Sequence, residues 1–318
     1  MNRHRLRHRR TLLLGAIAVA GSAATLAIAP AFGATAPLSQ AREVAHFEIT
    51  TQQQPENITL EPNGAADVTF NRARQIARVT PDGTTTILAT LPAPASGSAT
   101  VSGIVRAADG TLYVNYNAGS LSGVWRIRPG GTPEQFAALP DVKVVNGLAL
   151  DARNDALYVT DSTSGTVWKV SLASGATSLW ASGEALQPAT TNSSGFGVNG
   201  IKVHNGAVWV SNTDKGTLLR IPIGAHGTAG TVTTKASGVT SFDDFTFVGQ
   251  DDTVLAAQNF ANSVALINPD GTHQTVLTAD DGLSGPTSVA VRGKTVYVTS
   301  GAYFTRTDPN LLLAHIAH

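Results

Sequence analysis

The stretch Asn146–Ser162 reads NGLALDARNDALYVTDS. Two alternating apolar segments flank a polar turn, which is the pattern of a β-hairpin. An Asn-Gly pair commonly forms the turn of such a hairpin, but here it stands in front of the first strand. The same order of residue types recurs along the chain, and this repetition determines the predicted fold.

The repeat has six copies, which begin at Glu56, Ser102, Asn146, Asn199, Asp243 and Thr287. The starts lie 46, 44, 53, 44 and 44 residues apart. Each copy continues with further strand-like segments, such as GVWRIRPGG and TSLWASG. Four short strands in a repeat of about 40–50 residues are typical of a β-propeller blade. The sequence therefore predicts an all-β, six-bladed β-propeller with four antiparallel strands per blade.

The two ends of the repeat region predict how the propeller closes. The last copy holds three strands, whereas the β-like segment AREVAHFEIT (41–50) precedes the first copy and lacks a partner. We expect this N-terminal strand to complete the last blade, because pairing removes an open sheet edge. A β-sandwich or a two-domain chain would not explain six copies in phase. We therefore expect one domain over residues 37–318.

Residues 1–36 predict a secretory signal peptide. They comprise the basic segment MNRHRLRHRR and an apolar run without acidic residues, and either AFG (31–33) or ATA (34–36) provides a cleavage box. The alternative is a retained membrane anchor, which Gly and Pro within the run disfavour. The sequence RRTLL also fits a twin-arginine signal. We expect a secreted protein, exported by the Sec or the twin-arginine route and free of the membrane after cleavage.

Charge and composition exclude several function classes. Removal of residues 1–36 takes away five arginines and leaves 17 basic against 22 acidic residues. The remaining sequence has no basic patch of the kind that binds nucleic acid. The absence of cysteine excludes a lipoprotein anchor, a thiol nucleophile and cysteine-ligated zinc, and no G-x-S-x-G motif supports a serine hydrolase. We expect a monomer that binds a small molecule.

The starts of the six copies form a candidate metal site. Inner strands of a propeller run alike around the central channel, so their starts share one rim. Two carboxylates and two amides would then converge, from Glu56, Asn146, Asn199 and Asp243. Without a cation, the carboxylates would repel and one pKa would rise. Oxygen ligands favour Ca²⁺, with Mg²⁺ or Mn²⁺ as alternatives.

Two readings of these rim residues remain open. Asn-Gly and Asp-Asp are also ordinary turn residues, which a repeat would place at equivalent positions without any metal. Asp244 is either a further ligand or a residue that shapes the turn.

Further rim residues are candidates for a substrate pocket: Ser102, Asn115, Asn117, Asp161, Asn212, Asp244 and Asn259. The longest spacing contains the insertion GEALQPATTNSSGFG (183–197), which falls in a rim loop. Candidate apolar walls are Phe196, Tyr116, Phe260 and Tyr303, and the alternative for each is packing between blades. His204 is expected at the opposite end of its blade and is not a catalytic candidate.

The PEN motif (55–57), the two Asn-Gly starts and the Asp243 start resemble the regucalcin/gluconolactonase/luciferin-regenerating-enzyme (SMP-30/gluconolactonase-like) family. Paraoxonases and strictosidine-synthase-like proteins are more distant relatives. The resemblance covers all six blades. It implies that Glu56, Asn146, Asn199 and Asp243 hold one catalytic divalent cation, often calcium. It also implies lactone or ester hydrolysis, with Asp243 as the catalytic base.

The chain departs from this family at three places. PEN replaces EGP, DDF replaces a DGM-like start, and Ser102 stands where gluconolactonases have a second-blade asparagine. The arginine that orients sugar lactones also lacks a counterpart, so a sugar lactone is not the expected substrate.

Two function hypotheses follow. The first is a secreted metal-dependent hydrolase of the lactonase/esterase type that acts on a small ester or lactone at the channel mouth. The second is a non-catalytic secreted propeller that binds a peptide, glycan or cell-envelope component. A hydrolase needs an accessible pocket, whereas a scaffold could have its channel mouth plugged by side chains.

Overall fold

The computed structural model describes residues 37–317. The predicted signal peptide falls on residues 1–36 and so lies outside the described residues. Within residues 37–317, no helix combines the length and apolarity that a membrane crossing requires.

The described chain forms six four-stranded antiparallel sheets, one for each predicted repeat. Blade 1 contains β2 (Pro55–Leu60), β3 (Ala66–Phe70), β4 (Gln75–Val79) and β5 (Thr85–Thr90). Blade 2 contains β6 (Thr100–Arg106), β7 (Leu112–Asn117), β8 (Gly123–Ile127) and β9 (Glu134–Ala138). Blade 3 contains β10 (Val145–Asp151), β11 (Ala156–Asp161), β12 (Thr166–Ser171) and β13 (Thr177–Ser182). The six-bladed propeller prediction is thereby confirmed.

The second half of the chain repeats this arrangement. Blade 4 contains β14 (Val198–His204), β15 (Ala207–Asn212), β16 (Thr217–Pro222) and β17 (Thr233–Ser237). Blade 5 contains β18 (Phe242–Phe247), β19 (Val254–Gln258), β20 (Ser263–Ile267) and β21 (His273–Leu277). Blade 6 contains β22 (Pro286–Arg292), β23 (Thr295–Ser300), β24 (Asn310–Ile316) and β1 (Leu38–His46). Single 3₁₀ turns occur at Ile49–Thr51, Gly119–Leu121, Glu184–Leu186, Ala225–Gly227 and Ala279–Asp281.

The N-terminal strand closes the propeller as predicted. Strand β1 pairs antiparallel with β24, from Leu38 opposite Ile316 to His46 opposite Asn310. The side chain of Leu38 is buried in the core, and so is that of Ala45. Closure therefore covers the edge of β24, which would otherwise be open.

The core lies within and between the blades. Between blades 4 and 5, the side chains of Trp209, Phe242 and Phe245 are fully buried in one apolar cluster. Fully burying a large apolar side chain contributes roughly 1.5–3 kcal/mol. Close packing of this kind holds neighbouring inner strands at fixed positions around the channel.

Candidate functional site

A β-bulge marks the predicted rim position of every inner strand. In blade 5, three steps along β18, from Phe242 to Phe245, oppose only two steps along β19. The other five inner strands also carry one extra residue at this position. A bulge bends the strand and re-aims its side chains. It therefore places the extra rim residue of each blade at the mouth of the channel.

The glycine that follows each of the rim residues Ser102, Asn146 and Asn199 is required by the neighbouring blade. A Cβ atom on Gly147 would lie 2.4 Å from the carbonyl oxygen of Asn199. A Cβ atom on Gly103 would lie 2.6 Å from the carbonyl oxygen of Asn146. Glycine here permits close approach of adjacent inner strands, and does not form a hairpin turn.

Polar side chains of the second strands fix these bulges. In blade 3, the Thr160 hydroxyl accepts a hydrogen bond from the Gly147 N–H (2.8 Å) and donates to the Asn199 carbonyl of the next blade (2.6 Å). In four blades, a side chain of the second strand donates in this way to the carbonyl group of the rim residue in the next blade. The pairs are Thr69 with Ser102, Asn115 with Asn146, Thr160 with Asn199 and Ser211 with Asp243. We call these four donors the inter-blade latches.

A second tier of side chains lies two positions after the latch position of the same blade. These side chains donate hydrogen bonds to the carbonyl group of the residue that precedes the rim residue of the next blade. The pairs are Asn71 with Val101, Asn117 with Val145, Thr213 with Phe242 and Asn259 with Pro286. The predicted pocket residues Asn115, Asn117 and Asn259 thus bond the backbone of the following blade. This role was missed in the sequence because it depends on the neighbouring blade.

Two other predicted pocket residues shape the rim loops. The Asp161 carboxylate accepts hydrogen bonds from the N–H groups of Lys143 and Val144. The Asn212 amide donates to the carbonyl groups of Ala185 and Gln187 in the insertion. Both side chains are buried, and their polar atoms form hydrogen bonds with backbone groups.

The six rim residues form what we call the ring, at one end of the channel. A cavity of about 340 Å³ opens at this end. Of the rim residues, Glu56, Ser102 and Asn146 line it, together with Asn117 from the second tier. Its outer wall includes Phe196 from the insertion, Tyr303 and Phe304 from the β23–β24 loop, and two arginines, Arg72 and Arg306. Its volume falls in the range of small-molecule pockets, about 300–1,000 Å³. The channel mouth is therefore accessible, as the hydrolase hypothesis requires.

Glu56 is the acid in this cavity wall. Burial raises the pKa of its carboxyl group to about 7, and the nearby Asp244 charge adds to this rise. The hydroxyl group of Tyr303 opposes the rise by donating a hydrogen bond to the Glu56 Oε2 atom. Tyr303 is thus a polar partner of the ring, whereas the sequence suggested an apolar wall.

Asp243 lies within electrostatic range of Glu56. Burial raises the pKa of Asp243 well above its usual range, and the charges of Glu56 and Asp244 add to this effect. A hydrogen bond from Asn199 partly offsets it. The side-chain amide of Asn199 also donates to the Thr213 hydroxyl (3.0 Å). Two ionisable carboxyl groups and two amide side chains are therefore present at the rim bulges of four blades.

Asp244 belongs to a separate layer of the channel. Its carboxylate forms an ion pair with the Lys202 ammonium group (2.6 and 2.7 Å) and accepts hydrogen bonds from Asn57 (3.0 Å) and Ser288 (2.7 Å). Lys202 also lines a second cavity of about 480 Å³, formed by the far ends of all six inner strands. The Asp244 carboxylate is therefore paired with a cationic side chain, and its oxygens accept hydrogen bonds from these three partners.

The donor set at the ring fits a hard divalent cation. All four side chains supply oxygen, two of them as carboxylates whose pKa values are raised by burial and by neighbouring negative charge. The amide of Asn146 makes no hydrogen bond to another described residue, so its oxygen is available in the cavity wall. Oxygen donors with two negative charges suit Ca²⁺, Mg²⁺ or Mn²⁺.

A second group of possible ligands lies on the outer surface, where Glu43, His46 and Asp308 are exposed. The Asp308 carboxylate lies 2.6 Å from the His46 Nδ1 atom, and this hydrogen bond raises the pKa of His46. A metal requires the neutral imidazole. The raised pKa therefore favours an ion pair at this position.

The remaining candidates have definite positions. Tyr116 is fully buried and donates to the carbonyl group of Pro92, so of its two readings the structure supports packing in the core. Phe260 is exposed at the rim and packs on Phe304, with ring centroids 4.1 Å apart. His204 stacks on Phe247 and lines the far cavity, at the end opposite to the ring, as expected.

Comparisons with known proteins establish the fold. No protein-family model and no curated protein sequence matches the chain. Among solved structures, the chain is similar to regucalcin from Agrobacterium tumefaciens, described as a calcium-binding protein. The TM-score is 0.65 at 15% identity, covering 88% of this chain and 96% of that one.

Two further structures show the same architecture. A protein described as a gluconolactonase aligns with a TM-score of 0.64 at 18% identity, covering 87% of this chain and 92% of that one. A luciferin-regenerating enzyme aligns with a TM-score of 0.62 at 12% identity, covering 87% and 95%. The resemblance noted in the sequence is thus confirmed at the level of a shared six-bladed fold.

Proposed function

We propose that this protein is a secreted, divalent-metal-dependent hydrolase that opens a small ester or lactone at the ring end of its channel. The observation that carries the proposal is the position of Glu56 in the wall of an open cavity, within electrostatic range of Asp243. Propeller folds host many activities, so the proposal rests on this site. The fold shared with a gluconolactonase supports it.

The cation would be held by Glu56, Asn146, Asn199 and Asp243, with Ca²⁺ as the first candidate. When bound, it would supply a Lewis acid for the substrate carbonyl and lower the pKa of a water molecule. The calcium-binding description of regucalcin agrees with this choice of ion.

The chain's own residues supply proton transfer and positioning. Burial and the neighbouring negative charges raise the pKa of Asp243 above that of an ordinary carboxyl group, which makes its ionised form a stronger proton acceptor. We assign Asp243 to accept the proton of the attacking water. The Tyr303 hydroxyl orients the Glu56 carboxylate by its hydrogen bond, and the unpaired amide of Asn146 faces the cavity.

The alternative of a non-catalytic propeller is less well supported, because the cavity of about 340 Å³ leaves the channel mouth open. We further propose that the protein acts as a monomer on a small molecule, binds neither nucleic acid nor membrane after cleavage, and leaves the cell by the Sec or the twin-arginine route.

The test is a panel of aryl esters and lactones, including phenyl acetate and dihydrocoumarin, assayed in saturating CaCl₂ and in EDTA. We expect turnover that EDTA abolishes and that Glu56→Gln and Asp243→Asn each reduce by at least about a hundredfold. Asp109→Asn is the control, because Asp109 is an exposed acid in a turn at the far end of blade 2. Absence of turnover, or activity untouched by both ring variants, would contradict the proposed function.

A further inference from the structure

Two arginines lie in the wall of the ring cavity and point to the charge of its ligand. Arg72 belongs to the β3–β4 turn of blade 1, and Arg306 belongs to the β23–β24 loop of the adjacent blade 6. Both are exposed, and among the described residues neither forms an ion pair. Such arginines differ from Arg78 and Arg106, which are paired with Glu61 and Asp67.

The charge balance of the site leaves these arginines uncompensated. Glu56 and Asp243 carry two negative charges when both are ionised, and one divalent cation would balance these charges. The carboxylate of Asp244 is already balanced by Lys202. Glu56 is the one acid among the residues that line the cavity, so the two guanidinium groups leave a surplus of positive charge there.

The arginine-bearing loops are held in place by the fold. In blade 6, the N–H of Ala302 donates to the Ser284 carbonyl (2.8 Å), and the hydroxyl groups of Ser284 and Thr305 lie 2.7 Å apart. In blade 1, the N–H of Asn71 donates to the Gln54 carbonyl (2.9 Å). These bonds fix the loops that carry both arginines, so the loop backbone loses little freedom when a ligand binds.

The cavity also offers apolar surface beside the charges. Phe196 and Phe304 are 37% and 56% exposed, so both present apolar surface to a ligand in the cavity. Guanidinium groups bind carboxylates with directed hydrogen bonds. An aromatic or otherwise apolar body with a carboxylate would therefore match both parts of the wall.

We propose that the substrate is an ester or lactone that carries a carboxylate group, which Arg72 and Arg306 bind while the apolar body rests against Phe196 and Phe304. This inference rests on the proposed function and specifies its substrate class.

The test compares two matched esters, 4-acetoxybenzoate and its neutral counterpart 4-acetoxybenzamide. The measured quantity is the ratio of their kcat/KM values, in the wild type, Arg72→Gln, Arg306→Gln and the double variant. Intrinsic reactivity cancels when the ratio is compared between variants. We expect the wild type to favour the benzoate, each single variant to lower the ratio by about tenfold, and higher salt to lower it further.

Arg153→Gln is the matched control, because Arg153 is exposed in the β10–β11 turn at the far end of blade 3. This variant should leave the ratio unchanged. A wild-type ratio that Arg72→Gln and Arg306→Gln do not change would overturn the inference and leave the proposed function intact.

Calorimetric binding of 4-hydroxybenzoate, with phenol as the neutral control, distinguishes failure of the inference from failure of the function. If neither ester is hydrolysed, the proposed function fails. Preferential binding of 4-hydroxybenzoate that the arginine variants remove would still support the carboxylate subsite. Equal binding of both compounds, or binding that these variants do not affect, would contradict it.

Discussion

The Glu56 carboxyl group sits in surroundings that disfavour its charge. Burial and the nearby Asp244 charge raise its pKa to about 7, from an ordinary value of 4.5. Asp243 is raised for the same reasons, and in addition by Glu56. At neutral pH, the metal-free protein must therefore either protonate these groups or tolerate their repulsion.

These raised pKa values predict how stability depends on pH. Glu56 loses its proton near pH 4.5 in the unfolded chain and near pH 7 in the folded chain, so the stability that it contributes is fullest below about pH 4.5 and is lost as the pH rises through about 7. The contribution of Glu56 to this fall is up to about 3 kcal/mol. Thermal denaturation from pH 4 to 8 in EDTA should show the loss, and saturating Ca²⁺ should reverse it at pH 8.

Glu56→Gln should flatten this profile, because the amide cannot ionise. The control Asp109→Asn should keep the wild-type slope. A wild-type Tm in EDTA that does not decrease between pH 4 and 8 would contradict the description of the ring.

The Thr160 latch predicts a second residue-scale effect. Thr160→Val keeps the shape of the side chain but leaves the Gly147 N–H and the Asn199 carbonyl without a partner. Unsatisfied buried groups cost about 1–3 kcal/mol each, so urea denaturation should show a loss of about 2 kcal/mol or more. The control Thr163→Val changes an exposed side chain and should be neutral; equal stabilities of the two variants would contradict the latch.

At the scale of elements, the insertion between β13 and β14 depends on Asp214. The Asp214 carboxylate accepts hydrogen bonds from the Ser194 N–H (2.8 Å), the Ser194 hydroxyl (2.6 Å), the Ala189 N–H (3.2 Å) and the Ser193 hydroxyl. The same segment carries Phe196 to the cavity wall. One side chain thus connects the loop conformation to the shape of the pocket.

Asp214→Ala should release this loop with little change in global stability, because the affected segment is largely exposed. We expect faster proteolysis within residues 188–197 and a several-fold higher KM for ester substrates. Limited proteolysis followed by mass spectrometry locates the cut. Cleavage at the wild-type rate would show that Asp214 does not hold the loop.

The sequence predicts the positions of the strands better than it predicts the roles of individual side chains. The phase of the repeat predicts all six blades, because alternating apolar residues and turn residues are local signals. The latch role of Asn115 and the contact between Tyr303 and Glu56 join residues that are distant in sequence. Such contacts depend on how the blades pack and on the bulge register. A strand pattern does not contain this information.

At the scale of the whole molecule, closure depends on the N-terminal strand. A chain that begins at Phe47 lacks β1 and leaves the edge of β24 unpaired. We expect a Tm lower by about 10 °C or more, together with aggregation through the open edge. A chain that begins at Pro37 is the control, and an equal Tm for both would contradict the role of β1 in closure.

Six bulges in the inner strands bring side chains from different blades to one channel mouth. The proposed cation site depends on this arrangement. Calorimetric titration of CaCl₂ into EDTA-treated and desalted protein tests this central claim most directly. We predict one cation bound per chain in the wild type and in Asp109→Asn, with binding weakened at least about a hundredfold in Glu56→Gln and in Asp243→Asn. A wild-type protein that binds no divalent cation, or binding that survives both ring substitutions unchanged, would contradict it.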